Sequence, residues 1–303
     1  MPDRSLTPSL AAVAALRGHP GYQSAMWEAV RRMIALYRAD RLLNALMSDR
    51  ARALFTHGAL YLHYRGPRNG QPGLTVGAMK DFCVELELCS RGRCEAMLAL
   101  MRAAGLFAAA PNPDRRRRLL VPTEKLFTLH RERWVGNIEA MRHVMPQAES
   151  WLAAVHGPAF VEGLVVALSE SYIAGLRVLD NVPLLESIVE RNAGLMILFS
   201  LALSGPADQP FAPAVPVELS INALATRFSV SRKHVLILLR DAETLELLVR
   251  GGPANSQITF LPKGREALET MLATMFLFLA ESADKALRAS AAAVHPTAAA
   301  RAG

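Results

Sequence analysis

Cysteine is scarce: three in 303 residues, at positions 83, 89 and 94. Three thiols cannot build a disulfide framework, and their spacing matches no zinc-binding pair, so the chain fits a reducing cytoplasm with no structural metal. Ordinary buried thiols are the expectation. Cys89, however, precedes a helix start beside Arg91 and Arg93, a setting that lowers a thiol pKa and favours oxidation. Long apolar runs are also missing. The longest, Ala193 to Leu203 and Met271 to Ala280, fall short of the ~20 residues that a bilayer requires. Leu10 to Leu16 is apolar but follows Asp3-Arg4 and is closed by Arg17, which suits an arm or short docking helix better than a signal peptide. Finally, the chain holds no G-x-S-x-G elbow, no H-E-x-x-H helix and no phosphate-binding loop. His57 and His63, six apart, fall on different faces of a helix, whereas zinc ligands on a helix want a separation of four. No cofactor, no metal and no enzymatic activity are therefore expected.

What the chain does have is basic charge and a recurring pattern. Its formal net charge is +7 with a sequence pI near 9.7, and arginine supplies most of it. A moderate basic excess suits nucleic acid, but alone it shifts the odds little. The pattern is clearest in LSINALATRFSVSRKHVLILLRDAETLELL, from Leu219 to Leu248. Ser220 caps a short helix whose apolar face carries Leu224 and Phe228, four apart. Phe228-Ser229-Val230 turns, and Ser231 caps a second helix, buried through Val235, Leu238, Leu239 and Ala242. A strand to Arg250, a turn at Gly251-Gly252-Pro253 and a second strand from Gln257 to Leu261 follow.

Helix, turn, helix and hairpin in that order resemble the winged helix-turn-helix of MarR-type transcription regulators. The same order occurs upstream. Ser90-Arg91 falls on Ser231-Arg232 at an offset of 141, as do Leu98 on Leu239 and Leu106 on Leu247. Beyond the wing, Val121-Pro122 is matched to Leu261-Pro262 at an offset of 140, and the first copy has four extra residues ahead of its Ser-Arg. A self-match of this period indicates duplication. The expected fold is mainly α with small β-hairpin wings: two duplicated winged helix-turn-helix domains with long flanking helices. The expected divisions are a flexible arm over 1–22, a first domain over 23–150, a second over 151–287 and a disordered tail over 288–303. Flanking helices are expected at Ala25–Met47, Ala51–Tyr64, Phe160–Val178 and Pro183–Leu203.

The resemblance implies duplex DNA as partner, a small-molecule effector as a further option, and two-fold read-out by a homodimer or an intramolecular pseudo-dimer. In the first copy the candidate DNA-binding residues are Ser90, Arg91, Arg93 and Glu95 on the recognition helix. Arginine pairs in bidentate fashion with guanine, and a carboxylate accepts from a cytosine amine. The wing adds Arg115, Arg116, Arg117 and Arg118, which suit phosphates or a narrow minor groove. Alternate strand residues point to opposite sides, so about two of the four can face DNA together. In the second copy the candidates are Ser231, Arg232, Lys233, His234 and Arg240. There Leu236 and Ile237 take the places of Glu95 and Ala96. Aliphatic side chains in a groove reach at most a thymine methyl. Exposed, they would make an interface instead, and the alternative function is a tandem winged-helix protein-protein interaction or replication/chromosome-organising module.

Overall fold

Hydroxyl caps define much of the architecture. At Ser9, Thr75, Ser90, Ser220 and Ser231 a side-chain oxygen accepts the backbone N–H three residues on, at 3.0–3.3 Å. Each satisfies a donor that the first helical turn would otherwise leave orphaned. Replacing Ser231 by Ala should therefore lower unfolding free energy by about 1 kcal/mol, and Ser90→Ala by a similar amount. Urea denaturation of the two variants checks this; a cap that is idle would leave the midpoint unmoved.

The structure, a computed structural model, describes residues 7–37, 50–68, 73–111, 118–205 and 209–294. It is mainly helical with two small antiparallel sheets. The first half comprises α1 (Leu10–Arg17), α2 (Tyr22–Ala35), α3 (Arg50–Arg68), α4 (Val76–Glu85), α5 (Arg91–Ala103), β1 (Phe107–Ala109), β2 (Leu120–Pro122) and α6 (Glu124–Met141). The second comprises α7 (Ala148–Ala154), α8 (Pro158–Ile173), α9 (Glu186–Val189), α10 (Gly194–Ala202), β3 (Val217–Glu218), α11 (Ile221–Phe228), α12 (Arg232–Thr244), β4 (Leu248–Gly251), β5 (Gln257–Phe260) and α13 (Pro262–Val294). Among the described residues no single helix is long and apolar enough to cross a membrane.

One element order thus appears twice, and its details match. Left-handed residues close α5 and α12 at Gly105 and Glu246. The next amides, Leu106 and Leu247, donate back to the carbonyls of Met101 and Ala242. In the second unit the sheet order is β3-β5-β4. The first unit keeps the equivalent of β3 only as a bridge from Thr75 to Leu119. The four extra residues of the first unit divide evenly, two in α4 against α11 and two in the turn that follows.

The matching beyond the wing needs correction. Phe107 pairs with Pro122, and Leu248 with Phe260, so the first hairpin is longer by three residues rather than one. Thr123 and Leu261, not Val121 and Leu261, then occupy the same place: each donates its N–H to the carbonyl of the buried Leu106 or Leu247. Pairing register decides this, and a Val-Pro to Leu-Pro likeness does not.

The flanking helices interlock across the two halves. α2 lies along α6, burying Met26, Val30 and Ile34, whereas α8 packs on α13 and also on α3. Gly163 lets α8 approach closely: a Cβ there would stand 3.0 Å from the Cα of Ala286. Trp151 Nε1 donates to Asp284 Oδ1 at 2.8 Å. One apolar core runs through both halves, so residue 150 marks no gap in packing.

Several boundaries differ from expectation. Phe160–Val178 is helical from Pro158 only to Ile173, and Ala51–Tyr64 extends over Arg50–Arg68. The N-terminal arm contains α1, docked on α13 through buried Val13 and Leu16 and an Arg17–Glu269 ion pair at 2.8 Å. Ala25–Met47 begins earlier, at Tyr22, and is helical to Ala35; residues 38–49 lie outside the described residues. Pro183–Leu203 is not one helix, because Ala193 adopts φ 55° and breaks it into a 3-10 turn, α9 and α10. The final helix runs past residue 287 to Val294, and the remainder of the tail lies outside the described residues.

Candidate nucleic-acid interface

The first candidate surface is built on α5. Cys94, Leu98 and Met101 bury one side of this helix, and its opposite side then faces outward at Arg91, Arg93 and Glu95. Arg91 reaches Asp81 of α4 at 2.8 Å, and Glu95 meets Lys80 at 2.5 Å. The Lys80 ammonium holds the Glu95 carboxyl below its usual range, and the positive charge of Arg118 pulls in the same direction. The residues leading into β2 and the exposed side of α5 therefore share one electrostatic surface. Arg93 is exposed and makes no ion pair among the described residues. Arg118 is exposed too, its carbonyl accepting the Val76 N–H. Arg115, Arg116 and Arg117 lie outside the described residues.

The second surface is built the same way on α12. Ser231 caps, Arg232 and Lys233 stand exposed in the first turn, and Arg240 is exposed two turns later. His234 departs from expectation: its Nε2 lies 2.8 Å from the Asn192 carbonyl, so the ring fastens α12 to the segment before α10. It is a packing residue, not a free groove contact. Leu236 and Ile237 also differ, being half-buried and not exposed. The wing carries Arg250, which is tied twice to Glu243, through its backbone N–H at 3.1 Å and its guanidinium at 2.6 Å.

Cys83, Cys89 and Cys94 come together between α4 and α5, with Cys83 and Cys94 fully buried. Burial pushes the Cys89 thiol up, against the expected depression at a helix start, because apolar contacts outweigh the nearby Arg93. Among the described residues no group of three or more histidine, cysteine or acidic side chains is arranged to hold a metal.

Three buried polar groups on the flanking helices gave no usable signal in the sequence. His57 and His130 meet edge to face at 4.7 Å, and His130 Nε2 lies 3.1 Å from Thr56 Oγ1. Arg133, on the same helix as His130, faces a cavity between the halves. Surface acids do gather at Glu28, Glu139 and Glu149, but Arg32, His143 and Arg142 pair with them. No family model, curated protein or solved structure matches this chain.

Proposed function

We propose that the chain is a tandem winged helix-turn-helix protein that binds duplex DNA and regulates transcription, in the manner of the MarR-type regulators it resembles. The observation that carries this reading is the matched pair of basic turns. Arg91 and Arg93 follow one serine cap, Arg232 and Lys233 follow the other, and all four are exposed. Helix N-termini of this kind satisfy phosphates through their amides and present arginine to base edges. The salt links from Arg91 to Asp81 and from Glu95 to Lys80 give way when DNA supplies better partners. Exposed pairs of this sort are worth at most about 1 kcal/mol.

Both recognition helices belong to this surface, since half-burial of Leu236 and Ile237 removes the main reason for assigning α12 to a contact between chains. The interlocked flanking helices favour an intramolecular pseudo-dimer over a homodimer, and the unequal charges of the two units favour an asymmetric site. A second reading, a protein-interaction module, rests on the exposure of Val84 and Leu100 on neighbouring helices of the first unit.

Binding to random duplex DNA, titrated against salt, separates the two. Affinity should fall with salt, and replacing Arg115 through Arg118 by Ala should lower the slope of log K against log salt by about 2, roughly one for each phosphate that the wing then leaves unneutralised. Arg93→Ala should cost about 1–3 kcal/mol at a preferred site and relax its sequence preference. Absence of salt-dependent binding would leave the interaction module as the surviving reading.

A further inference from the structure

Where the flanking helices of the two halves meet, they line a half-open cavity of about 410 Å³. Its walls are apolar, and Met33, Met196, Met271 and Met275 are among the side chains that line it. Methionine adapts its shape to an occupant more readily than a branched side chain. Arg133 and Asn137, one turn apart on α6, both line this space.

Arg133 is an expensive residue to place there. It lies deep in the protein, yet the residue is only half-buried by area, because the cavity reaches its side chain. Among the described residues no carboxylate pairs with its guanidinium and no acceptor takes a hydrogen bond from it. Burial pushes its pKa down, with only the Tyr37 hydroxyl opposing. Arginine cannot escape by releasing its proton, so the desolvated cation stands uncompensated. Asn137 adds to the imbalance: its Nδ2 donates to the Arg133 carbonyl at 2.8 Å, but its Oδ1 is closed off with no donor. Arg177, on another wall, is already engaged. It donates to the carbonyls of Tyr172 and Leu176 and stacks on the Tyr172 ring at 3.8 Å.

An apolar cavity that holds, among the described residues, one cation with neither a carboxylate nor a hydrogen-bond partner is built for a molecule of complementary form. At roughly 30 Å³ per heavy atom, the share of a water molecule in the liquid, the space holds about fourteen heavy atoms. We propose that this cavity binds an amphipathic carboxylate, with its charged head on Arg133 and its apolar body among the methionines. A carboxylate supplies the charge-assisted hydrogen bonds the guanidinium lacks. A protonated or amide-bearing head would give the guanidinium less. The cavity also adjoins the second helix-turn-helix, since Tyr37 on its wall meets Phe228, the last residue of α11, at 5.6 Å between ring centroids.

Dodecanoate has fourteen heavy atoms and serves as the probe, with dodecan-1-ol as its uncharged counterpart. Isothermal titration is run on the full chain without DNA, so the outcome stands apart from the reading given above. Dodecanoate should bind one to one and at least tenfold more tightly than the alcohol. Arg133→Met should erase that preference while leaving alcohol binding unchanged, and Met275→Trp, which fills the space, should weaken both. Equal affinity of the native chain for acid and alcohol would overturn the proposal, as would failure of both to bind. Should Arg133→Met not fold, the acid-to-alcohol ratio on the native chain still decides.

Discussion

Lowering the pH from 7 to 5 should cost the fold about 2 kcal/mol through His57 alone. Although the residue keeps some accessible surface, its Nε2 is closed off and has no hydrogen-bond partner. Burial pushes its pKa down from 6.5 to about 4, and the positive charge of Arg133 adds to the effect. His130 is held well below its usual value by burial, with His57 and Arg133 acting in the same direction. An unfolded chain takes up the His57 proton near pH 6.5, whereas the folded chain refuses it until about pH 4. Between those values the unfolded state binds more protons, so stability falls as pH falls; above 6.5 it is flat. The depressed carboxyls of Glu28 and Glu243 act with the same sign, but below their ordinary value of 4.5, outside this window. Urea denaturation at pH 7 and pH 5 measures the loss, and His57→Leu should remove about 2 kcal/mol of it. A native protein equally stable at both pH values would mean that the two rings are solvated.

Gly264→Ala should be at least as damaging, lowering unfolding free energy by about 3 kcal/mol. A Cβ at this position would stand 2.0 Å from the Leu247 carbonyl oxygen and 2.7 Å from its carbon. Neither atom can move aside, because that oxygen accepts the Leu261 N–H at 3.0 Å and so fixes the hairpin to the start of α13. Alanine is the better helix former by about 1 kcal/mol, so the measured effect is the clash minus that gain. The matched position in the first unit is Leu126, which is buried, so α6 and α13 approach their hairpins differently. Denaturation of the purified variant gives the answer, and a stability equal to the native chain would deny the close approach.

Local chemistry explains which parts of this fold were legible in the sequence. Caps at Ser90, Ser220 and Ser231 act over three residues, and the buried 3-4 spacing of α12 acts over one helix, so both could be read directly. Hairpin length could not, because it depends on which residues pair across the ladder. Leu236 and Ile237 read as exposed from their position on α12; what half-covers them is tertiary. His234 has the sequence position of a groove contact, but the carbonyl that claims it, 2.8 Å away, belongs to Asn192, 42 positions earlier in the chain. The break at Ala193 leaves no local trace, because alanine ordinarily favours helix and avoids left-handed backbone. Arg133 is hidden for the opposite reason: of the two arginines on α6, Arg131 and Arg133, the sequence gives no sign of which will end beside a cavity.

The clasp between α1 and α13 also sets a timetable for making the molecule. Arg17 and Glu269 are separated by 252 positions. At about 5–20 residues per second, the growing chain waits roughly 10–50 s between synthesis of the first partner and arrival of the second. During that interval α1 lacks the helix on which it docks, and α8 likewise waits for α13. The nascent chain therefore carries open apolar surface until α13 emerges and completes the core of both halves.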